Sequence, residues 1–139
     1  MSDLLLDTNV ISALRLVQQQ PPSFGAWLAA TALTDCYVSC LTWMELRSGI
    51  LKKQRTDPAQ AEALARWYDN VHQDFRRRTL PFDDLAAIAA APWWSQRPRG
   101  TVDTLVAGSA LAGQLDLVTR NVSDFADIPG LRLVNPWWS

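Results

Sequence analysis

The sequence has few of the residues that most often mark a metal or acid–base site, with one histidine and two cysteines in 139 residues. His72 has no second imidazole to work with, so a histidine pair acting as acid and base is excluded. Cys36 and Cys40 are spaced C-x3-C with no histidine nearby, which argues against a zinc site. We therefore interpret both cysteines as structural residues of a small core.

The sequence also lacks a long apolar run. The apolar stretches LLL at 4–6 and LAAIAAAPWW at 85–94 are shorter than the roughly 18 residues of a membrane span. The start, MSDLLLDTN, has neither the basic region nor the apolar region of a secretory signal. With 48% hydrophobic residues the chain can bury a proper core. We expect one domain over residues 1–139, no membrane association and a cytoplasmic location.

Charge of one sign is not in excess, because 13 Lys and Arg stand against 14 Asp and Glu. This balance argues against a generic protein that coats nucleic acid through an excess of positive charge. Basic residues nevertheless gather locally, and the groups are Arg47 with Lys52, Lys53 and Arg55, then Arg76 to Arg78, then Arg97 with Arg99. They suit a phosphate backbone if a metal ion offsets nearby acids, or they are solvated helix faces.

Short apolar segments alternate with helical patterns along the chain. We predict strands at 4–6, 37–41, 115–119 and 131–134, and a short strand or extended connection at 79–83. We predict helices at 8–17, 58–77 and 101–113, a short helix capped by Ser23, one opened by Thr42, and one capped by Asp83 or Asp84 and ending near Trp94. The stretch SQRPRG at 95–100 is predicted to be a loop. This alternation predicts an α/β three-layer sandwich with a parallel sheet of four or five strands.

Four acidic residues stand near the predicted junctions between elements: Asp7, Glu45, Asp103 and Asp124. Each has a simple structural explanation. Asp7 could cap the helix that starts at Thr8, Glu45 could complete a capping box with Thr42, Asp103 could face a helix dipole, and Asp124 could cap a turn.

The four acids together favour a metal site. Carboxyl ends of parallel strands meet at one edge of an α/β sheet, which is where ligands of such folds bind. Four carboxylates in one cleft repel one another unless a proton or a cation is bound. Mg²⁺ prefers oxygen ligands and can activate water and stabilise phosphoryl charge. Phosphodiester hydrolysis is the reaction class that this set of residues indicates.

The chain resembles the PIN-domain ribonucleases, and among them the VapC toxins of toxin–antitoxin pairs. The resemblance is carried by LLLDTNVISAL, VSCLTWMELRSGI, LPFDDLAA and VDTLVAGSALAGQLDLVTRNVSDFADIPGLRLVNPW, and it runs over nearly the whole chain. The stretch WWSQRPRGTVD before Asp103 departs from the family pattern. The resemblance implies a PIN-like fold and a metal-dependent endoribonuclease that acts on RNA.

The resemblance also implies roles for individual residues and partners. Asp7, Glu45, Asp103 and Asp124 would be the acidic quartet that binds Mg²⁺ or Mn²⁺. The polar residues expected to line the same pocket, where they assist the site or contact substrate, are Asn9, Thr119, Arg120 and Asn121. The implied partners are a second copy of the chain, in a homodimer, and a cognate VapB-type antitoxin whose C-terminal segment covers the cleft. Core packing would explain most of the seven tryptophans, and a dimer or antitoxin surface is the interpretation of any that are exposed.

Two other readings of Asp7 stay open from the residues alone. A phosphatase with Asp7 as nucleophile would usually have an acid two residues later, where this chain has Asn9, and a lysine near a later strand. A non-catalytic receiver-like or binding module would have paired acids after the first strand and a late lysine. The only lysines are Lys52 and Lys53.

Overall fold

The computed structural model describes residues 3–96 and 101–138 of the chain. In this part of the chain six α-helices alternate with the strands of one sheet. The helices are α1 (Thr8–Leu14), α2 (Pro22–Ala29), α3 (Cys40–Gln54), α4 (Pro58–Asp74), α5 (Asp84–Gln96) and α6 (Val102–Gly113). No helix of the described residues is long and apolar enough to cross a membrane.

The sheet has five parallel strands in the order β3-β2-β1-β4-β5. The strands are β1 (Leu4–Leu6), β2 (Cys36–Ser39), β3 (Thr79–Leu80), β4 (Asp116–Val118) and β5 (Leu133–Val134). β1 lies at the centre, where Leu5 is aligned with Tyr37 of β2 on one side and with Leu117 of β4 on the other. The predicted α/β class and the parallel sheet are confirmed, with five strands.

The sheet separates two hydrophobic cores. Because side chains alternate along a strand, Leu6 points to one face and Leu5 to the other. The core around Leu6 includes Val10 of α1, Phe24 of α2, and side chains of α3 and α4. The core around Leu5 includes Val106 of α6 and the buried residues of the segment that follows β4. Helices thus cover both faces, and the predicted three-layer sandwich is confirmed.

Some predicted helix starts are wrong. α3 begins at Cys40 with Ser39 as its N-cap, whose hydroxyl accepts from the backbone N–H of Leu41 at 3.1 Å. Thr42 is therefore inside the helix, and the expected capping box with Glu45 does not form. α2 begins at Pro22, which needs no N–H donor there. The Ser23 hydroxyl donates to the carbonyl of Trp137 instead.

Other predicted ends are confirmed. Asp7 caps α1 and Thr101 caps α6, each by accepting a backbone N–H. Asp83 accepts from the N–H of Ala86 at 3.0 Å and caps α5. The predicted loop SQRPRG is wrong at its start, because α5 continues through Ser95 and Gln96. Its residues 97–100 lie outside the described part of the chain.

Helices α5 and α6 pack closely, and Gly108 is the residue that permits it. A Cβ atom on Gly108 would lie 2.6 Å from both the carbonyl oxygen of Ala86 and the Cβ of Ala90. Real Cβ atoms do not approach other atoms so closely. Since α6 also carries Asp103 in its first turn, this contact helps fix the position of that acid.

Candidate metal site at the carboxyl edge of the sheet

The order of the strands creates a switch point beside β1. Strands β2 and β3 lie on one side of β1, and the later strands β4 and β5 lie on the other side. Ligand sites of open α/β sheets form outside the carboxyl ends of the strands at such a point. Asp7 directly follows β1 and Thr119 directly follows β4, so both residues border it.

Asp7 is held in one orientation by several donors. It is 4% exposed. Its Oδ1 accepts the N–H of Thr8 at 2.9 Å, and its Oδ2 accepts the hydroxyl of Thr119 at 2.8 Å and the amide of Asn9 at 3.4 Å. The backbone N–H of Asp7 donates to the carbonyl of Val118 at 2.9 Å, which extends the β1–β4 pairing by one step. The cap predicted for Asp7 and a buried, oriented carboxylate therefore occur together.

The pKa of Asp7 is raised above its ordinary value. Burial is the largest cause, and the charges of Glu45 and Asp124 raise it further. The hydrogen bonds from Thr119 and Thr8 act in the opposite direction. Two of the other three predicted acids are therefore close enough to raise the pKa of Asp7, and the ionised form of Asp7 is disfavoured unless positive charge is supplied.

Glu45 reaches the site from α3 through two threonines. It lies in the second turn of α3, so it is not at a junction between elements as its sequence position suggested. The hydroxyl of Thr8 donates to Oε1 of Glu45 at 2.6 Å. The hydroxyl of Thr42, which is 0% exposed, lies 3.0 Å from that of Thr8. Because one hydroxyl carries one proton, Thr42 can donate to Thr8 while Thr8 donates to Glu45.

The polar residues predicted from the resemblance form one network around Asp7. Asn9 donates to both Asp7 and Thr119, at 3.4 Å each, and its Oδ1 accepts the backbone N–H of Arg120 at 3.1 Å. The hydroxyl of Thr119 accepts the backbone N–H of Asn121 at 3.1 Å. Thr119 is 0% exposed, whereas Arg120 and Asn121 are exposed at the rim.

Asp103 and Asp124 lie on two other segments. Asp103 is half-buried in the first turn of α6, as predicted. Asp124 is the last residue of a 3-10 turn, Val122–Asp124, and is exposed. The N-cap position of that turn is Asn121, so the capping role considered for Asp124 is wrong. Within residues 3–96 and 101–138, no three acidic, histidine or cysteine side chains are drawn together tightly enough to form a complete metal site.

The donors around Asp7 suit a hard divalent cation. They are carboxylate, amide and hydroxyl oxygens, which Mg²⁺ and Mn²⁺ prefer, and neither thiolate nor imidazole is among them. The buried Asp7, with its raised pKa and two acidic neighbours, would be relieved by such a charge. The chemistry of the residues therefore fits the ion that the sequence suggested.

Thr8 and Thr42 were missed as site residues by the sequence reasoning. Thr8 was predicted to start one helix and Thr42 to open and cap another, since threonine is common at such positions. The signal that was present is their placement directly beside the acids, Thr8 after Asp7 and Thr42 one turn before Glu45. Only the packing of α1 against α3 reveals that they meet.

The two rival readings find little support in the geometry. Both need a lysine near a strand end at the carboxyl edge. Lys52 and Lys53 lie in the last turn of α3, on a different part of the fold. The basic run Arg76 to Arg78 precedes β3 and thus lies at the amino edge of the sheet, opposite the acids. Arg97 and Arg99 lie outside the described residues.

Comparison with known proteins gives a consistent result. The family model described as PIN domain matches residues 4–131. Ribonuclease VapC14 of Mycobacterium tuberculosis is 42% identical over 48% of this chain, which spans 63% of that relative. VapC ribonuclease Y4jK of Sinorhizobium fredii is 32% identical over 96% of this chain and 97% of its own length.

Solved structures share the fold over nearly the whole chain. The FitAcB structure from Neisseria gonorrhoeae is 31% identical, has a TM-score of 0.80, and aligns over 98% of this chain and 99% of its own. A toxin-antitoxin complex from Klebsiella pneumoniae is 26% identical, has a TM-score of 0.62, and aligns over 96% of this chain and 97% of its own.

Proposed function

We propose, from the premise that this chain belongs to the PIN-domain family and to its VapC-type branch, that it is a metal-dependent endoribonuclease of a toxin–antitoxin pair. The substrate would be RNA, and the reaction hydrolysis of a phosphodiester bond. The observation that carries the proposal is the buried carboxylate of Asp7, which lies at the switch point of the sheet and feels the charges of Glu45 and Asp124.

The metal ligands that we propose are Asp7, Asp103, Glu45 and Asp124. Water and substrate oxygens would complete the coordination, as is common for Mg²⁺. The bound ion would supply activation of water and stabilisation of the negative charge on the phosphoryl group. Mn²⁺ has similar ligand preferences and would serve as well.

The residues of the chain itself would prepare the site. Thr119 and the N–H of Thr8 orient the carboxylate of Asp7 and partly offset the rise in its pKa, since both hydrogen bonds favour its charged form. The Thr8 hydroxyl fixes Glu45 against free rotation. Such partners of metal ligands are commonly worth about 10–100-fold in affinity or activity. We therefore expect the two threonines to matter although neither is an acid.

We propose a cognate antitoxin of VapB type as the regulatory partner. An apolar groove of about 290 Å³ adjoins Glu45, between α1, α3 and α4. Its walls include Leu16, Leu46, Ile50 and Trp67. A segment with apolar side chains and one basic side chain would fill this groove and place its charge among the acids. The toxin-antitoxin complex among the structural relatives supports an antitoxin as the partner.

We propose further that the chain forms a homodimer through α5. Leu85 and Ile88 are 66% and 63% exposed and lie three residues apart on that helix, so they form one apolar stripe. Replacing Ile88 by glutamate should convert a dimer into a monomer in sedimentation experiments. An unchanged sedimentation coefficient would refute α5 as the dimer interface.

The decisive experiment compares RNA cleavage by the wild type and by Asp7→Asn, with and without Mg²⁺. We expect cleavage that requires the ion and falls by more than about 100-fold in the variant, because partners of metal ligands alone are worth about 10–100-fold. Asp35→Asn is the matched control, since Asp35 is an exposed aspartate at the amino edge of the sheet. Full activity of Asp7→Asn would refute the assignment.

A second measurement tests the shared metal site without relying on catalysis. Millimolar Mg²⁺ or Mn²⁺ should raise the melting temperature of the wild type, because the ion relieves repulsion among the acids. The same addition should have a much smaller effect on Asp7→Asn. A wild type that shows no shift would speak against a common site.

A further inference from the structure

The C-terminal NPWW segment is fastened to α2 and to the residues that lead into it. The ring of Trp137 lies 4.8 Å from that of Phe24, centroid to centroid. Its Nε1 donates to Oε1 of Gln20 at 3.0 Å, and its carbonyl accepts the hydroxyl of Ser23, also at 3.0 Å. Since Phe24 is fully buried, the Trp137 ring is held in a fixed position on the molecule.

This fixed ring supports Arg120. The guanidinium carbon of Arg120 lies 5.3 Å from the centroid of Trp137, within the range of a cation–π contact. The backbone of Arg120 is held on both sides, because its N–H donates to Asn9 and its carbonyl accepts the side chain of Asn135. Asn9 in turn donates to Asp7. Arg120 is therefore only two hydrogen bonds away from the central carboxylate.

Arg120 is an exposed residue, and its guanidinium has no carboxylate partner in the described part of the chain. Other arginines are occupied differently: Arg132 pairs with Asp116 at 2.9 Å, and Arg78 donates to the carbonyl of Cys36. A guanidinium that lies over an indole ring still has N–H groups pointing away from the ring, and these can bind an anion. Arginine binds phosphate through two parallel hydrogen bonds in this way.

We propose that Arg120 binds a backbone phosphate of single-stranded RNA at the rim of the acidic cleft, and that Trp137 is the positioning residue that holds it there. This role rests on the proposed function. Arg120 would be the positive charge that lets RNA, a polyanion, approach the acidic cleft. A fixed cation is useful because the acids repel the phosphates around the scissile bond. A freely rotating arginine would lose side-chain freedom on binding, whereas a stacked one loses less.

The phosphate contact is tested by the salt dependence of RNA binding. Labelled single-stranded RNA is titrated with protein in EDTA, where the proposed cleavage stops, and anisotropy gives Kd at several KCl concentrations. Each phosphate contact contributes about 0.7 to the slope of log Kd against log salt for single strands. Arg120→Ala should therefore lower the slope by about 0.7. Arg76→Ala, an exposed arginine at the amino edge, removes the same charge and should leave it unchanged.

The role of Trp137 is tested by a double-mutant cycle in Mg²⁺. Trp137→Leu should raise KM by roughly three- to tenfold with little change in kcat, as expected for lost preorganisation of one long side chain. In the Arg120→Ala background the same substitution should have no further effect on KM. Trp137→Phe, which keeps an aromatic ring beside Phe24, should restore KM to within about twofold of the wild type.

Trp138→Leu is the matched control for the cycle. Trp138 neighbours Trp137 in sequence but is 69% exposed, and no ring contact is formed by it within residues 3–96 and 101–138. We expect wild-type KM. An equal rise in KM in this control would mean that the terminal tryptophan stacks on a base, and it would overturn the assignment to Trp137.

The remaining outcomes separate this inference from the proposed function. Wild-type cleavage with an unchanged salt slope in Arg120→Ala overturns the phosphate contact alone. Equal effects of Trp137→Leu in both backgrounds, with a lowered melting temperature, assign Trp137 to stability and overturn its positioning role. A wild type that neither binds nor cleaves RNA overturns the proposed function, and this inference falls with it.

Discussion

The replacement of Thr119 by valine is a sharp test of how the site is built. Valine has nearly the same shape as threonine and removes only the hydroxyl. That hydroxyl donates to Oδ2 of Asp7 at 2.8 Å and accepts the backbone N–H of Asn121 at 3.1 Å. Thr119 is fully buried, so water cannot easily take the place of the donor. Asn121 is exposed, and its N–H can turn to solvent.

The magnitude follows from the hydrogen bond to Asp7. Hydrogen bonds to charged groups contribute about 1.5–3 kcal/mol, which is the expected loss in free energy of unfolding near neutral pH. For a chain of this size 1 kcal/mol corresponds to roughly 3 °C, so the melting temperature should fall by about 5–9 °C. The bond to Asn121 adds little because solvent replaces it.

The loss should depend on pH in a defined direction. The pKa of Asp7 is raised by burial, and the bond from Thr119 opposes that rise. Thr119→Val should therefore raise the pKa of Asp7 further and move the acid limb of the cleavage profile to higher pH. The destabilisation should be largest where Asp7 is ionised in the folded protein, and it should shrink as pH falls through the folded-state pKa.

Thermal unfolding as a function of pH, together with the pH profile of kcat/KM, measures both effects. Thr31→Val is the matched control, since the Thr31 hydroxyl donates to the neutral carbonyl of Trp27 at 2.6 Å. Its effect on stability should not vary with pH. If Thr119→Val melts like the wild type at pH 7 and keeps the same acid limb, the reasoning about Asp7 is refuted.

Three further substitutions or reactions test the packing and the electrostatics. Gly108→Ala should lower the free energy of unfolding by about 1–3 kcal/mol, because the new Cβ would lie 2.6 Å from that of Ala90. Gly25→Ala is the control: its Cβ meets no atom, and the free energy of unfolding should rise by about 0.5–1 kcal/mol. Equal effects of the two substitutions in thermal unfolding would refute the close approach of α5 and α6. Without divalent metal, Asp7→Asn should raise the melting temperature near pH 7, and the gain should vanish at acid pH. The reason is that the raised folded-state pKa of Asp7 makes the wild type lose stability as pH rises. A gain that persists at acid pH would contradict this. Burial raises the pKa of Cys36 to about 11, so alkylation at pH 8 should reach this thiol only on unfolding, and rapid native labelling in mass spectrometry would disprove its burial.

Strands and helices were predictable where the local pattern is strong. The apolar run of β1 and the stripe of α4 were identified with starts that the structure confirms, because burial on both faces and a 3.6-residue period leave clear traces. Ends were less predictable. α1 stops at Leu14 where a helix to Val17 was expected, and α4 stops at Asp74 where one to Arg77 was expected. Each helix is followed by a 3-10 turn, Val17–Gln19 after α1 and Arg76–Arg78 after α4, and such frayed ends leave little trace in the sequence.

Some site residues could likewise be predicted from the sequence, and others could not. Asp7 could be selected from the sequence because it follows directly after a buried strand, whereas Asn9 was selected only through the family resemblance. Glu45 was selected for an incorrect reason, since its place in the second turn of α3 is far from any cap. Thr8 and Thr42 were missed because a threonine near a helix start has a sufficient local explanation.

The sequence by itself determined the alternation of strands and helices, the absence of histidine-pair chemistry, and the identity of the acids that could bind a metal ion. These features depend on residue type and short-range spacing. The strand order, the switch point beside β1, and the meeting of Thr8 with Glu45 and of Arg120 with Trp137 were decided by the tertiary structure alone. Such contacts join residues far apart in the chain, and their geometry depends on how the helices pack on the two faces of the sheet.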